Sequence, residues 1–341
     1  MLTKEQENAL ARQLQAAVPF VPDPFGAIAT DVGLSTGEVL AQLSRWREEG
    51  ALREISAVLE GSALGWDSAL VAGQVAEERI DAVAAVVSAH PTVTHNYVRR
   101  HDFNLWFTVA VPLEMSLEHT VRVLAEESGV SSFHPLRRTE TFKIGVSFDL
   151  ESAQNQTEAV AVREVGPIAV GARERRYFRA LQAPLPIDLR PFAKLAADHG
   201  TTEDELIAFG AQHLGGAIRR YVGTFRHRHL GVRGNGMVVW SVPRGELSRY
   251  GARLAAQPEV SHCYARTTIP GFPYSLYSMI HGPDGDTMRR TVARIAGELG
   301  LTDFLVLEST RELKKCRLRY FLPELDLWWS AHAAKTAKGA A

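Results

Sequence analysis

Apolar positions along this chain switch repeatedly between the period of a helix and that of a strand. Lys4 to Leu14 carries them at helical spacing, and Pro22 and Pro24 interrupt the pattern. A short helix is then predicted from Phe25 to Val32, a turn at Gly33, and a third helix, capped by Ser35 or Thr36, running to Glu49. After Gly50, Leu52 to Leu59 alternates as a strand does. Ile80–Ala89 reads as a helix, Thr92–Arg99 and Asn104–Val111 as strands of a hairpin, Leu117–Ser128 as a helix and Phe142–Phe148 as a closing strand. The first part is a helix-turn-helix; the rest runs βαββαβ, the order of a ferredoxin-like sandwich.

The run then comes a second time. Leu14-Gln15-Ala16, Pro24-Phe25 and Gly33 recur as Leu181-Gln182-Ala183, Pro191-Phe192 and Gly200, at an offset of 167 throughout. His95 and Tyr97 recur as His262 and Tyr264 at that same offset. Helices are expected at Arg179–Leu181, Phe192–His199 and Thr202–His213, and strands at Arg219–Leu230, Val260–Arg266, Tyr274–His281 and near Lys314–Tyr320. The expected fold is α+β: a tandem duplication of helix-turn-helix plus ferredoxin-like sandwich, forming an internal pseudo-dimer. The boundaries read are 1–55 and 56–151 for copy one, 152–172 for a linker, 173–218 and 219–324 for copy two, and 325–341 for a tail in which Trp328 and Trp329 pack onto the fold.

Composition narrows the function classes. Of 341 residues, 45% are apolar and 23% charged, the balance of a globular protein. A net charge of −1 argues against a coat for nucleic acid. Cys263 and Cys316 cannot build a disulfide framework or a multi-thiolate metal site. No apolar run approaches the ~20 residues that span a bilayer, and the polar start has no signal-peptide core. A cytoplasmic protein with no membrane partner is expected.

A helix-turn-helix invites a regulator reading, but DNA readers meet phosphates with Lys and Arg. Copy one sets Arg45 and Arg47 against Glu38, Glu48 and Glu49; copy two, over Thr201 to Leu214, has Glu203, Asp204 and Glu205 and no Lys or Arg. The electrostatics disfavour DNA as a partner.

The sharpest chemical feature is His-x-Tyr-x-Arg, as His95, Tyr97, Arg99 and as His262, Tyr264, Arg266. On a strand these share one face, aligning an imidazole, a phenol and a guanidinium. Arg219 to Gly245 holds six arginines and two histidines and no acid. Within it, Arg226 and Arg228 are expected on one face and His227 and His229 on the other, a cationic wall for a multiply charged anion. Copy one has Glu60 and Gly61 where copy two has His227 and Arg228, so copy two is the better equipped for an anion. His101 with Asp102, and His134 before the basic pair Arg137 and Arg138, read as turn and loop residues; His281 ends a strand within reach of the same cleft. Metal-ligand spacings, phosphate loops, dinucleotide fingerprints and nucleophile elbows do not occur.

HNYVRRHDFNLWFTV (95–109) and TFKIGVSFDL (141–150) resemble the smaller subunit of the siroheme decarboxylases. GTFRHRHLGVRGNGMVVWSVP (223–243), HCYARTTIPGFPYSLYSMIHG (262–282) and STRELKKCRLRYF (309–321) resemble the partner subunit, in the order of the fused forms and within the wider Lrp/AsnC-like superfamily. Ala265 departs from that pattern, where partner subunits often carry a further Arg. The resemblance implies removal of the C12 and C18 acetate carboxyls of siroheme to give 12,18-didecarboxysiroheme, in haem d1 or alternative haem biosynthesis. The alternatives are an Lrp/AsnC-type regulator and a non-catalytic tetrapyrrole carrier. It implies His227, His262, His95 and Tyr264 as catalytic residues, and Arg226, Arg228, Arg266, Arg99, Arg100, Tyr97, His229, Arg233 and Lys314 as contacts to the carboxylates. No cofactor is expected, since the iron belongs to the substrate; it would lie near His227 or His262. The implied partners are siroheme and its products, with the two halves as a pseudo-heterodimer open to further homodimerisation.

Overall fold

The computed structural model describes residues 2–144, 166–225, 234–243, 245–282 and 284–332. Copy one runs α1 (Lys4–Ala16), α2 (Pro24–Val32), α3 (Thr36–Glu48), β1 (Leu52–Leu59), β2 (Trp66–Gly73), α4 (Ile80–Ala89), β3 (His95–Arg99), β4 (Leu105–Pro112), α5 (Leu117–Ser128) and β5 (Phe133–Ile144). Copy two runs α6 (Ala172–Gln182), α7 (Pro191–Asp198), α8 (Glu203–His213), β6 (Ile218–Phe225), β7 (Gly234–Trp240), α9 (Leu247–Ala255), β8 (Val260–Arg266), β9 (Leu276–Gly282), α10 (Gly285–Leu299), β10 (Phe304–Leu307) and β11 (Ser309–Lys315). A last helix, α11 (Pro323–His332), follows.

The elements assort into two compact units. One holds both helix-turn-helix segments. Local signals fix its helices: capping boxes at Thr3/Gln6, Ser35/Glu38 and Thr202/Glu205, and Pro24 and Pro191 in first turns. Gly33 ends α2 at φ +68°, a conformation that L side chains rarely adopt. β1 and β6 pair antiparallel. Phe20 joins the two copies here, with its ring 5.6 Å from Phe192 and 4.7 Å from Tyr221.

The other unit holds both sandwiches in one nine-stranded sheet, ordered β10-β7-β9-β8-β5-β2-β4-β3-β11. The copies exchange strands. β5 pairs β2 of its own copy through 133–137 and then β8 of copy two through 138–144. β10 pairs β7 of its own copy, and β11, one residue on, pairs β3 of copy one. One core lies on the helix side of copy two, with Leu276, Ile280, Val292 and Ile295. A second, with Leu70, Trp106, Leu136, Met237, Tyr277 and Leu307, is built by strands of both copies.

This arrangement revises several boundaries. Leu52–Leu59 is a strand but does not open the sandwich; Trp66–Gly73 does. The closing strand begins at Phe133 rather than Phe142, and the last strand is Ser309–Lys315, so Lys314 lies near its end rather than at its start. β6 stops at Phe225, and 226–230 of the longer strand expected there lie outside the described residues. The expected linker 152–172 lies outside them up to residue 165, and α6 begins at Ala172. Part of the expected tail is helical: Trp328 meets His90 (4.3 Å between centroids) and Trp329 meets His119 (5.1 Å). No helix among the described residues is long and apolar enough to cross a membrane.

Candidate active site

Strand alternation places the two triplets as their spacing predicts. On β3, the buried Asn96 faces α4 and donates to Ser88 Oγ at 3.1 Å; His95, Tyr97 and Arg99 occupy the opposite face. On β8, Cys263 faces α9, its Sγ 3.7 Å from the Gly251 carbonyl, and His262, Tyr264 and Arg266 lie opposite. Within each triplet the groups touch in sequence. The rings of His95 and Tyr97 are 6.2 Å apart and Arg99 lies 5.4 Å from the Tyr97 centroid; the matching distances for His262, Tyr264 and Arg266 are 6.1 and 5.6 Å.

The arginines anchor on the exchanged strands. Arg99 Nη1 donates to the Leu307 carbonyl at 2.6 Å, and Arg266 Nη1 to the Leu136 carbonyl at 3.0 Å. Each leaves a buried Nε with no hydrogen-bond partner among the described residues. Burial lowers both guanidinium pKa values to about 10, so both stay charged at neutral pH. A buried cation with an unused donor is prepared for an anion.

A cavity of about 260 Å³ opens on this face. Its polar lining includes Ser68, Thr92, Thr94, His95 and Thr108 of copy one, Arg138 on β5, and Tyr264 and Arg266 of copy two; no acidic side chain among the described residues lines it. The cavity therefore takes its imidazole from one triplet and its phenol and guanidinium from the other. Each triplet is aligned along its own strand, and strand exchange brings members of both into one cavity. His95 is held through Nδ1, 3.0 Å from Thr94 Oγ1 and 3.4 Å from Thr108 Oγ1, and the two threonine hydroxyls are 2.7 Å apart. Arg138 pairs in register with Arg266 and lies 5.9 Å from the Tyr264 centroid. Sites for whole small molecules usually measure ~300–1,000 Å³, so a volume of this size suits one arm of a large ligand.

His262 lies on β8 beside Tyr264 and does not line this cavity. Burial, with the charges of His281 and Lys143, lowers its pKa to about 4. Tyr97 donates to Glu312 at 3.4 Å, and its pKa is pushed up to about 12, first by burial. Lys314 is corrected: in register with Asn96, it lies on the helix side of the sheet, where Nζ donates to the carbonyls of Ser88 (2.6 Å) and His90 (3.2 Å) at the end of α4. Lys143 of β5 does the same for the Gln257 carbonyl after α9 at 3.0 Å. Both ammonium groups thus sit at helix C-termini, where the dipole favours a cation. Arg100 follows β3 on the surface, outside the cavity lining. Arg226, His227, Arg228, His229 and Arg233 lie outside the described residues. Arg138 was missed because it reads as half of a basic loop pair. Adjacent strand residues point oppositely, and its neighbour Arg137 is paired with Asp67 and Glu118.

Several charges of the helix-turn-helix helices are engaged within the fold. Arg45 pairs with Glu7 on α1, and Arg47 donates to the Leu185 carbonyl at 3.1 Å. On α8, Glu203 pairs with Arg190 and Glu205 completes the capping box.

Comparison with known proteins agrees across both copies. The family model of the AsnC-like ligand binding domain matches residues 63–143 and 229–314, and that of the siroheme decarboxylase NirDL-like HTH domain matches 7–53 and 174–210. The siroheme decarboxylase of Hydrogenobacter thermophilus is 38% identical over 325 residues, covering 94% of this chain and 97% of that protein. The siroheme decarboxylase NirDL subunit of Paracoccus denitrificans is 34% identical, covering 87% and 91%. A solved siroheme decarboxylase NirDL is similar at a TM-score of 0.78 and 33% identity, over 97% of this chain and 99% of its own. A NirDL structure in co-complex with an iron-uroporphyrin III analogue is similar at a TM-score of 0.79 and 32% identity, with the same coverage. The chain belongs to the siroheme decarboxylase family, in its fused two-copy form.

Proposed function

We propose that this chain decarboxylates siroheme, removing the C12 and C18 acetate carboxyls to give 12,18-didecarboxysiroheme, in haem d1 or alternative haem biosynthesis. The observation that carries the reading is the cavity built by both copies, with two guanidinium groups, a phenol and a positioned imidazole and no acid among the described residues that line it. Siroheme is a flat macrocycle with eight carboxylates. Arg266 and Arg138 suit carboxylates that are retained, and the burial of Arg266 strengthens such a pair relative to water.

When an acetate carboxylate leaves as carbon dioxide, its bonding pair stays on the methylene carbon and spreads into the macrocycle. One proton then turns the methylene into a methyl group. The tetrapyrrole is its own electron sink, so the reaction is proposed to need no cofactor, and the iron is part of the substrate. His95, fixed through Nδ1 by two threonines, is proposed as proton donor at this cavity, with Tyr264 orienting the acetate. His262 is proposed to serve a second centre. By the two-fold relation of the exchanged strands, that centre combines His262 with Tyr97 and Arg99. The strand 226–233 enters this reading through the family resemblance, with His227 as a further donor and Arg226, Arg228, His229 and Arg233 as carboxylate contacts. The two halves work as a pseudo-heterodimer, with no DNA partner.

Carbon dioxide release from siroheme by His95→Ala and His262→Ala, made singly, tests the assignment. A fall of ~10²–10⁴-fold in at least one supports it. Near-normal release in both contradicts it.

A further inference from the structure

Copy two carries a second imidazole that copy one lacks. His95 pairs with Thr108 across β3 and β4, and His262 with Met279 across β8 and β9. Two residues on, Ala110 of copy one therefore corresponds to His281 of copy two. The hydroxyl beside each triplet histidine is retained, as Thr94 and as Ser261. In copy one it leads to another threonine, Thr108, at 2.7 Å. In copy two Ser261 Oγ lies 2.9 Å from His262 Nδ1 and 2.6 Å from His281 Nε2, which joins the two imidazoles through one hydroxyl.

We propose that His281 and Ser261 form a proton relay that resupplies His262 during siroheme decarboxylation, the inference resting on the function proposed above. Each carbon dioxide released consumes one proton at the substrate carbon. His262 is held neutral at pH 7, and a neutral imidazole alone is a weak acid. The relay removes that difficulty. His262 gives its Nε2 proton to the substrate carbon as its Nδ1 takes the hydroxyl proton of Ser261. Ser261 in turn takes the Nε2 proton of His281, which enters the relay as the imidazolium and leaves it as a neutral imidazole; solvent then reprotonates His281, which is only partly buried. Proton and charge balance at every link, and no co-reactant beyond water is needed. Among the described residues, His95, flanked by Thr94 and Thr108, has no second imidazole in the equivalent place, where Ala110 stands. His281 is a positioning residue: it acts through Ser261 and need not touch siroheme.

The test is turnover and siroheme affinity of the full chain with His281→Ala, Ser261→Ala, Ser261→Thr and the double alanine variant. The relay predicts a kcat for carbon dioxide release ~10- to 100-fold lower for each single alanine variant, with siroheme affinity within about twofold of the parent. Added imidazole restores turnover to His281→Ala, Ser261→Thr retains it, and the double variant is no slower than the slower single one, because a broken chain breaks once. His281→Gln, which keeps volume and hydrogen bonding but carries no proton, repeats the loss if His281→Ala does not fold. Turnover of His281→Ala or His281→Gln within twofold of the parent, or losses that multiply in the double variant, overturns the relay. A parent chain that releases no carbon dioxide overturns the proposed function instead.

Discussion

Arg266 shows how much chemistry one residue gathers from its surroundings. Its strand sets its face, β5 supplies the carbonyl that anchors Nη1, and the buried Nε has no hydrogen-bond partner among the described residues. Arg266→Gln should weaken siroheme binding ~10- to 100-fold, the scale of a lost charge-assisted hydrogen bond. Arg266→Lys should recover little, since an ammonium keeps the charge but not the fork. Absorbance titration with siroheme checks both; unchanged affinity in Arg266→Gln would remove it from the site. The triplets were legible because a period of two puts their side chains on one face. Their recombination was not, because it depends on strand pairing between residues more than a hundred positions apart.

The elements that defeated sequence reading did so for physical reasons. β2 is buried along most of its length, so alternation is absent and the strand goes unseen. β1 alternates well enough to be taken for the first sandwich strand, yet pairs with β6. β5 carries the exposed polar run Arg138, Thr139 and Glu140 at the point where it leaves β2 for β8, which reads as a loop. That crossing rests on close packing. A Cβ placed on Gly251 of α9 would lie 2.3 Å from the Phe142 ring of β5. Gly251→Ala should therefore destabilise the protein by ~1–3 kcal/mol despite alanine's better helix propensity. Denaturant unfolding measures it, and a gain in stability would mean that the contact is loose.

At the scale of the whole molecule, near-neutral net charge conceals a partition. Among the described residues the cavity has arginines without acids, while the helix-turn-helix segments commit Arg45, Glu38, Glu203 and Glu205 to caps and internal pairs. Mobility shift at low salt should show no sequence-selective DNA complex; a tight selective one would restore the regulator reading. Burial also predicts the acid response. It holds the pKa of His90 at about 3, where His90 packs on Trp328, and that of His262 at about 4. Both lie below the ordinary value near 6.5, so between that pH and the folded pKa the unfolded chain binds more protons. Stability then falls as pH falls, by up to ~1.4 kcal/mol per pH unit for each group. Unfolding at pH 7 and pH 5 should show a smaller drop for His90→Gln than for the parent; equal drops would contradict the assignment.

The central claim is that the two copies together form a decarboxylating site for siroheme. Anaerobic incubation of the purified chain with siroheme, followed by mass spectrometry of the extracted tetrapyrrole, tests it most directly. The expected product has lost two molecules of carbon dioxide, by way of a species that has lost one. Siroheme that binds to the chain and is recovered at unchanged mass would make the protein a carrier and contradict the claim.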